Sequence, residues 1–347
     1  MIRVGVFGAS GYGGVGLCQG LANHPEVELT YLGGHTTAGQ RLSDVYPHLR
    51  GVLDMPIEEA STEAAIERCD LLFYILEQGM APEWIRKALE AGKRVFDASA
   101  DFRLHSQGTY EAHYGPHPAP ELLSRAVYGL PELHRDEIAK ADLVAMPGCY
   151  PTSAILALAP LVAHGRVDLA TLIVDSKSGI SGAGRTKYGR VTHFCEVSEA
   201  VEPYSVARHR HAPEMDQELS GLAGAAVQVT FTPHLVPMVR GLLTTAYADL
   251  REAATADELV ALYEEYYADE PFVSVLPAGQ FPSSKHVAGT NRCVLGMTVH
   301  TAANRVVVAS AIDNLRKGHA AGAGLQCLNC MYGFEESTGL LQAAVWP

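Results

Sequence analysis

The strongest constraint on the fold of this chain is a glycine-rich segment that directly follows an apolar run near residue 1. Residues 3–7 are typical of a buried strand, Gly8-Ala9-Ser10-Gly11-Tyr12-Gly13-Gly14 follows them, and residues 15–21 have a helical pattern. Glycines allow a tight turn and let backbone N–H groups at the start of a helix approach a pyrophosphate. The strand, loop and helix together predict dinucleotide binding rather than a merely structural turn. The expected cofactor contacts are Gly8, Ser10, Gly11, Tyr12, Gly13 and Gly14.

The segment after the second predicted strand indicates which nicotinamide cofactor is bound. NAD usually requires an acidic residue about 20 residues after the glycine loop, which holds the ribose 2′-hydroxyl. Residues 32–41 contain no Asp or Glu, but they contain Thr36, Thr37 and Arg41. Hydroxyl and basic groups accommodate a 2′-phosphate that a carboxylate would repel. The sequence therefore favours NADP over NAD, with Thr36 as a contact, unless the segment is only a loop.

Apolar runs and helical patterns alternate through the first half of the chain. This alternation predicts an α/β fold with a doubly wound parallel sheet. After residue 150 the pattern changes to adjacent strand-like runs, which predict a second domain with a mixed, largely antiparallel sheet. Those runs are residues 171–175, 227–232, 241–249, 293–300 and 305–311, and the helices predicted with them are residues 151–163, 253–267 and 315–330.

Charge and composition exclude several classes of protein. The net charge of −13 argues against general nucleic-acid binding, which needs a basic patch. No run reaches about 18 apolar residues, so we expect no membrane span. Seven cysteines at irregular spacing, without a signal-peptide pattern, predict reduced thiols in the cytoplasm. The histidines are scattered, and no metal is expected.

Cys149 is the candidate nucleophile because of its place in the chain. A predicted strand ends at Met146, Pro147 and Gly148 turn the chain, and Cys149 stands at the beginning of a helical pattern. The positive end of a helix stabilises a thiolate, and Pro151 suits the first helical turn. The other six cysteines are interpreted as packing residues.

A thiol nucleophile needs an acid–base partner, and His209 and His211 are the candidates. Alternate side chains of an extended segment point to opposite sides, so only one of the two is expected to face the thiol. The spacing does not decide which one.

Arginines that follow or precede predicted strands favour an anionic substrate. Arg103 follows one strand, Arg185 ends the small-residue loop 178–185, and Arg240 precedes another strand. Guanidinium groups bind phosphate and carboxylate in a bidentate way. Each arginine alone is typical of a solvated surface, but several together support an anion site.

These motifs resemble the signature blocks of the N-acetyl-γ-glutamyl-phosphate reductase family, in the same order along the chain. The blocks around the cysteine and the two histidines, residues 147–152 and 209–214, are the most specific. The whole set comprises residues 8–14, 97–104, 128–132, 147–152, 178–185, 209–214, 232–244 and 312–318. The wider superfamily includes aspartate-semialdehyde dehydrogenase and, more distantly, glyceraldehyde-3-phosphate dehydrogenase.

The resemblance implies the NADPH-dependent reduction of N-acetyl-γ-glutamyl phosphate to N-acetylglutamate semialdehyde, through a cysteine thioester, in arginine biosynthesis. It implies an NADP-binding domain of residues 1–148 with 315–347, and an α+β catalytic and oligomerisation domain of residues 149–314. A homotetramer or homodimer is expected. The implied roles are Cys149 as nucleophile, His211 as acid–base residue, Ser181, Gly182 and Asn314 at the nicotinamide, and Arg103, His209, Arg185 and Arg240 at the substrate.

Three segments depart from the family pattern. Glu77-Gln78-Gly79 stands where a Pro-His-Gly-like segment is usual, and His319-Ala320-Ala321-Gly322-Ala323-Gly324 replaces an Ala-Ala-Gly-Gln-Ala-like run. Residues 282–287 only approximate a Pro-x-Thr-Lys-x-Val block. None of the three includes Cys149, His209 or His211.

Two other functions remain open at this point. A reductase of N-acetyl-aminoadipyl phosphate, with a substrate one methylene longer, would need nearly the same site, since one methylene changes binding by only about 1–3 kcal/mol. A non-catalytic NADP-binding regulator would keep the fold without reactivity at Cys149.

Overall fold

The computed structural model describes residues 1–187 and 189–345, and it divides the chain into two compact units. The first unit comprises Met1–Pro147 with His319–Leu341, and the second comprises Gly148–Gly318 with a tail that begins at Gln342. Each unit contains a seven-stranded sheet. Within the described residues, no helix combines the length and the apolar character that crossing a membrane requires.

The helices and strands are numbered in chain order. The strands are β1 (Ile2–Phe7), β2 (Val27–Gly34), β3 (Glu58–Glu59), β4 (Leu71–Tyr74), β5 (Arg94–Asp97), β6 (Ala126–Tyr128), β7 (Leu143–Ala145), β8 (Ile173–Gly179), β9 (Glu202–Pro203), β10 (Thr230–Val236), β11 (Leu242–Asp249), β12 (Val273–Val275), β13 (Cys293–His300) and β14 (Arg305–Ile312). The α-helices are α1 (Tyr12–Ala22), α2 (Leu42–Val45), α3 (Thr62–Arg68), α4 (Pro82–Glu90), α5 (Gln107–Tyr114), α6 (Pro131–Lys140), α7 (Cys149–Ala163), α8 (Phe194–Val197), α9 (Ala212–Ala223), α10 (Ala256–Tyr266) and α11 (Leu325–Tyr332). The 3-10 helices are Pro47–Leu49, Pro120–Arg125, Leu169–Thr171, Ile180–Ala183, Arg190–Thr192, Ser284–Val287 and Thr301–Ala303, and Ala320–Gly324 is a π-helix.

The first sheet is entirely parallel, with the strand order β3-β2-β1-β4-β5-β7-β6. Parallel sheets are buried on both faces, which explains why β4 is a continuous apolar run of four buried residues. The strand order reverses between β1 and β4, and ligands of such sheets bind at the carboxyl ends of the strands beside that point. Gly8 directly follows β1, so the glycine loop lies there. The predicted doubly wound α/β sheet is confirmed.

The second sheet has the order β12-β13-β14-β11-β8-β10-β9 and is mixed, as predicted. The pairs β12–β13 and β8–β10 are parallel, and the other neighbouring pairs are antiparallel. Helix α7 packs on β11, β14 and α9. Its residues from Tyr150 to Val162 are all buried, which is why its sequence is apolar on every side. The opposite face of β11 is partly exposed, because its residues alternate between buried and partly buried.

Three local predictions are wrong. Residues 315–330 are not one helix: a turn ends at Gly318, and the π-helix precedes α11. Glycines disfavour a regular helix, and the Asp313 carboxylate accepts the Leu315 N–H at 2.8 Å to form the turn. The strand predicted at residues 227–232 begins later, because side chains rather than the sheet take up the N–H groups of Val227 and Val229. Cys195, interpreted as a packing residue, is exposed.

Candidate active site

The thiol of Cys149 stands at the first residue of α7, as the sequence predicts. Gly148 is the N-cap residue, it provides no side-chain cap, and the first helical turn contains no acidic residue. The helix therefore presents its positive end to the thiol without a competing carboxylate in that turn. Cys149 is partly exposed, unlike the buried residues that follow it in α7.

His211 lies directly against the backbone that leads into Cys149. A Cβ added to Gly148 would lie 2.7 Å from both Cε1 and Nε2 of His211, so only glycine leaves room for this ring. His211 is the N-cap residue of α9, a helix that the sequence analysis did not predict. The assumption of an extended segment around the two histidines is therefore wrong. The two rings are neighbours, with centroids 4.7 Å apart.

Glu214 connects the histidine to the thiol segment, and the sequence analysis gave it no role. Its Oε2 accepts a hydrogen bond from the Gly148 N–H at 3.0 Å, and its Oε1 lies 3.9 Å from His211 Nε2. The side chain is only 1% exposed, so this carboxylate is a fixed neighbour of the imidazole. Its position three residues after His211, in the first turn of α9, is the signal that a helix prediction would have supplied.

His209 has a different environment from His211. Its Nδ1 accepts the N–H of His211 at 3.1 Å, and its ring packs edge-on against Tyr150, Tyr204 and Phe231. Burial, aided by the charge of Arg210, lowers the pKa of His209 to about 4. His209 is thus a neutral ring whose Nδ1 supports the backbone at His211.

The loop after β8 meets the segment after β14 in the second unit. Asn314 Nδ2 donates to Ser181 Oγ at 3.0 Å, and its Oδ1 accepts the Gly241 N–H at 2.7 Å. A Cβ added to Gly318 would lie 2.7 Å from the Cβ of Cys149. The structure therefore brings Ser181 and Asn314 together, and the turn that follows Asn314 passes beside the thiol residue. Gly182 is adjacent, since a Cβ there would lie 3.7 Å from Asn314 Nδ2.

Arg240 belongs to a cationic cluster that also includes Arg316, which the sequence analysis missed. Arg240 Nη1 lies 3.6 Å from Asp313 Oδ2, and burial together with the charge of Arg240 lowers the pKa of Arg316. The carboxylate of Asp313 is fully buried and also accepts the N–H groups of Gly289 and Leu315. Two positive charges, those of Arg240 and Arg316, thus lie near the single carboxylate of Asp313, which favours binding of a further anion. Arg185 lies beyond the loop of Ser181 and is partly buried.

The glycine loop in the first unit has the geometry of a dinucleotide cradle. Gly8 has a φ of +79°, and its N–H donates to Gly33 O at 2.9 Å. A Cβ at Gly14 would lie 2.1 Å from Gly8 O, so the close packing of loop and helix requires glycine. Helix α1 begins at Tyr12 without a side-chain cap or an acidic residue in its first turn. These residues fit a pyrophosphate at the helix N-terminus.

Ser10 joins the glycine loop to the segment after β2. Its Oγ accepts a hydrogen bond from Thr37 Oγ1 at 3.1 Å, while the predicted contact Thr36 is exposed. Tyr12 is 40% exposed at the start of α1. The structure also places an acid that the sequence analysis did not consider: Glu59 of β3, whose Oε1 lies 2.8 Å from His35 Nδ1. Pairing of β2 with β3 brings this carboxylate to the segment in which the sequence contains none.

Arg103 lies at the carboxyl edge of the first sheet, as predicted. Its Nε donates to Met146 O at 2.8 Å and its Nη2 donates to Ala98 O at 3.1 Å, both just beyond strand ends. The side chain is buried, so the guanidinium group is fixed in position. Nearby, Gln78 of the unusual Glu77-Gln78-Gly79 segment donates to Tyr110 and to the carbonyl of Tyr114. This departure from the family pattern is accommodated by α5.

Comparisons with known proteins agree with the two-domain α/β fold. Residues 3–141 match the family model for the NAD binding domain of semialdehyde dehydrogenase, and residues 149–314 match the model for its dimerisation domain. The fold is similar to that of aspartate semialdehyde dehydrogenase with NADP from Candida albicans, with a TM-score of 0.73, 17% identity, and 96% of this chain and 98% of that chain covered. The enzyme from Vibrio cholerae gives a TM-score of 0.72 at 16% identity, over 96% of this chain and 98% of that one.

Closer relatives share the full length. A protein from Moorella thermoacetica is 50% identical and one from Desulforamulus reducens is 49% identical, each over 100% of both chains. A relative from Synechocystis is 47% identical over 99% of this chain and 98% of its own. All three are named N-acetyl-gamma-glutamyl-phosphate reductase. The family expected from the sequence is confirmed, and the chain belongs to the N-acetyl-γ-glutamyl-phosphate reductases, oxidoreductases of the semialdehyde dehydrogenase type that bind a nicotinamide cofactor.

Proposed function

We propose that this chain reduces N-acetyl-γ-glutamyl phosphate to N-acetylglutamate 5-semialdehyde with NADPH and releases phosphate, as a step of arginine biosynthesis. The observation that carries the proposal is the ring of His211 packed on Gly148, directly before Cys149 at the start of α7. This pairing gives a thiol nucleophile and a proton acceptor in one place. The substrate is taken from the names that the full-length relatives carry.

Cys149 is the proposed nucleophile. Its thiol proton passes to His211, and the sulfur bonds to the carbonyl carbon of the acyl phosphate. The bond from that carbon to the phosphate oxygen then breaks, so a thioester remains on Cys149 and phosphate leaves. Negative charge develops on the carbonyl oxygen, and backbone N–H groups in the first turn of α7 are the proposed donors to it.

Reduction of the thioester follows. The reduced nicotinamide, when bound, supplies the hydride. Sulfur donates weakly into the carbonyl, so a thioester accepts hydride more readily than an oxygen ester, which is why the site needs cysteine. The carbon–sulfur bond then breaks, the aldehyde leaves, and His211 returns its proton to the Cys149 thiolate. Glu214 stabilises the protonated imidazole during this cycle, because its carboxylate is a fixed neighbour.

The remaining roles are proposed residue by residue and are supported by the contacts within each unit. We assign cofactor binding to the glycine loop and to Ser181, Gly182 and Asn314. We assign the anionic substrate to Arg103 and to the cluster of Arg240 and Arg316, with Arg185 beside the loop of Ser181 and His209 as support for His211. The 1–148 and 315–347 segments form the proposed NADP-binding domain, and residues 149–314 form the catalytic domain.

The proposal includes a preference for NADP over NAD. Thr36 and Thr37 support it, and Glu59 opposes it by bringing a carboxylate close to that segment. The pairing of Glu59 with His35 offsets part of that charge. We expect kcat/KM to be higher for NADPH than for NADH by about tenfold or more. Equal values for the two cofactors would contradict the assignment.

A homo-oligomer is proposed from the second unit. The face of its sheet that α7 does not cover is partly exposed along β11, and the matching family model is that of a dimerisation domain. A second copy of this chain is the proposed partner on that face.

The decisive experiment runs the reaction in reverse. Purified protein is mixed with N-acetylglutamate semialdehyde, phosphate and NADP⁺, and absorbance of NADPH is followed. Phosphate-dependent formation of NADPH is expected. Activity only with the aldehyde that is one methylene longer would move the protein to the aminoadipyl substrate. Absence of activity with either aldehyde would contradict the proposal.

Two variants test the assigned residues. Cys149→Ser should abolish turnover and leave NADPH binding intact, because a serine hydroxyl cannot form the thioester. His211→Asn should reduce kcat by about 10²–10⁴-fold, the usual size of general acid–base catalysis. His209→Asn serves as the matched control, and a larger loss of kcat in that variant than in His211→Asn would exchange the roles of the two histidines.

A further inference from the structure

His319 lies against the glycine loop in the first unit. Its ring packs on Gly13, the second residue of α1: a Cβ there would lie 2.1 Å from His319 Cε1 and 2.7 Å from each ring nitrogen. Any side chain at position 13 would therefore collide with the imidazole. Gly13 makes room for this histidine in addition to any ligand at the loop.

The imidazole has hydrogen-bonding capacity that the chain does not use. His319 Nδ1 is buried and has no hydrogen-bond partner among residues 1–187 and 189–345. Buried polar atoms in native proteins are nearly always paired, so an unpaired one requires an explanation. Burial, with a contribution from the charge of Arg103, lowers the pKa of His319 to about 4. The ring is thus neutral near pH 7, with one N–H to donate.

The local backbone presents the ring to the helix N-terminus. His319 has an extended conformation, with φ −157° and ψ 168°, and it directly precedes the π-helix Ala320–Gly324. A π-helix holds more residues per turn than an α-helix and often occurs at functional sites. His319 belongs to the segment that departs from the usual family run, so the family pattern supplies no role for it.

We propose that His319 is a ligand of the cofactor pyrophosphate, donating a hydrogen bond from its imidazole to a phosphate oxygen held at the N-terminus of α1. One feature of α1 and two of His319 converge on this point: the uncapped start of the helix, the ring packed on Gly13, and the unpaired Nδ1. The inference uses the nicotinamide cofactor of the proposed function, but it is independent of Cys149 and of the acyl phosphate.

The test compares two replacements of His319. His319→Phe keeps a flat ring against Gly13 and removes the donor, and His319→Ala removes both. Dissociation constants for NADPH are measured by its fluorescence, and we expect both variants to bind about tenfold more weakly or worse. The exposed His113 of α5 gives the matched control, and His113→Ala should bind NADPH as the wild type does. Thermal unfolding without cofactor verifies that each variant is folded.

Two probes separate pyrophosphate binding from other causes. Affinity for 2′-phospho-ADP-ribose, which has the pyrophosphate but no nicotinamide, should fall as for NADPH. Affinity for adenosine 2′-monophosphate should not change. If His319→Phe bound NADPH with wild-type affinity, the proposal would be overturned, because ring packing alone would then suffice. A wild-type protein that binds no NADPH would also overturn it. Normal NADPH binding without reductase activity would refute the proposed function and leave this inference standing.

Discussion

At the scale of the residue, two histidines of one short segment have acquired different properties. His211 packs on Gly148, and its Nε2 lies 3.9 Å from the buried carboxylate of Glu214. His209 packs among Tyr150, Tyr204 and Phe231, where burial opposes a proton. One imidazole thus lies beside a buried carboxylate, and the other is kept neutral by its apolar neighbours. The same residue type serves catalysis or support according to its neighbours.

The neutral state of His209 makes a testable contribution to stability. Its pKa is about 4 in the folded chain against the ordinary histidine value of 6.5, so between these values the unfolded chain binds the proton and the folded chain does not. Stability is therefore complete above the unfolded value and is lost as pH falls through this window. The loss from about pH 7 to about pH 5 is about 2 kcal/mol. Urea denaturation at both pH values should show that His209→Asn removes this loss.

Asparagine is chosen because it removes the titrating ring and can retain the backbone hydrogen bond. Its Oδ1 can accept the His211 N–H that His209 Nδ1 accepts now, so the backbone support remains. His113→Asn, on exposed α5, is the control and should retain the pH dependence of the wild type. An unchanged pH dependence in His209→Asn would show that this ring is not kept neutral by its surroundings.

At the scale of the element, strand–turn–helix junctions carry the site. The predictions near Gly8 and Cys149 were accurate because glycine and proline mark those junctions locally, and apolar runs mark the buried strands beside them. Helix α9 was missed because its N-terminal residues were interpreted as extended, and the role of Glu214 was missed with it. The pairing of β2 with β3 could not be predicted from the sequence. The position of Glu59 beside the segment after β2 was therefore missed.

The hydrogen bond that joins Glu214 of α9 to the N-cap residue of α7 should contribute measurably to the free energy of unfolding. Glu214→Ala removes the acceptor of the buried Gly148 N–H, and an unsatisfied donor of this kind costs about 1–3 kcal/mol. Glu214→Gln retains an amide oxygen and should unfold nearly as the wild type does, while losing the negative charge beside His211. We expect kcat to fall in both variants and the free energy of unfolding to fall only in the first. Equal unfolding energies for Ala and Gln would show that the hydrogen bond does not support the junction.

At the scale of the whole molecule, the second sheet leaves an apolar row on the face opposite α7. Ile173, Tyr247 and Val307 are register partners on three adjacent strands, and Ile173 is 37% exposed. The ion pair of Arg305 with Asp249, 2.7 Å apart, borders this row. An apolar centre with a charged rim is the usual anatomy of an interface between subunits. The candidate active site at the N-terminus of α7 is thus separate from the sheet face that is proposed to bind a second copy of the chain.

A charge in this row should dissociate the oligomer without disturbing the site. Val307→Asp places a carboxylate at the centre of the proposed interface, where it would be buried without a partner, and should raise the dimer dissociation constant by about a hundredfold or more. Size-exclusion chromatography with light scattering should show a dimer or tetramer for the wild type and a smaller species for the variant. Val52→Asp is the matched control, because Val52 is 71% exposed in the first unit and the same change there should leave the mass unaltered. A monomeric wild type, or an unaltered mass for Val307→Asp, would show that this face is not where copies of the chain meet.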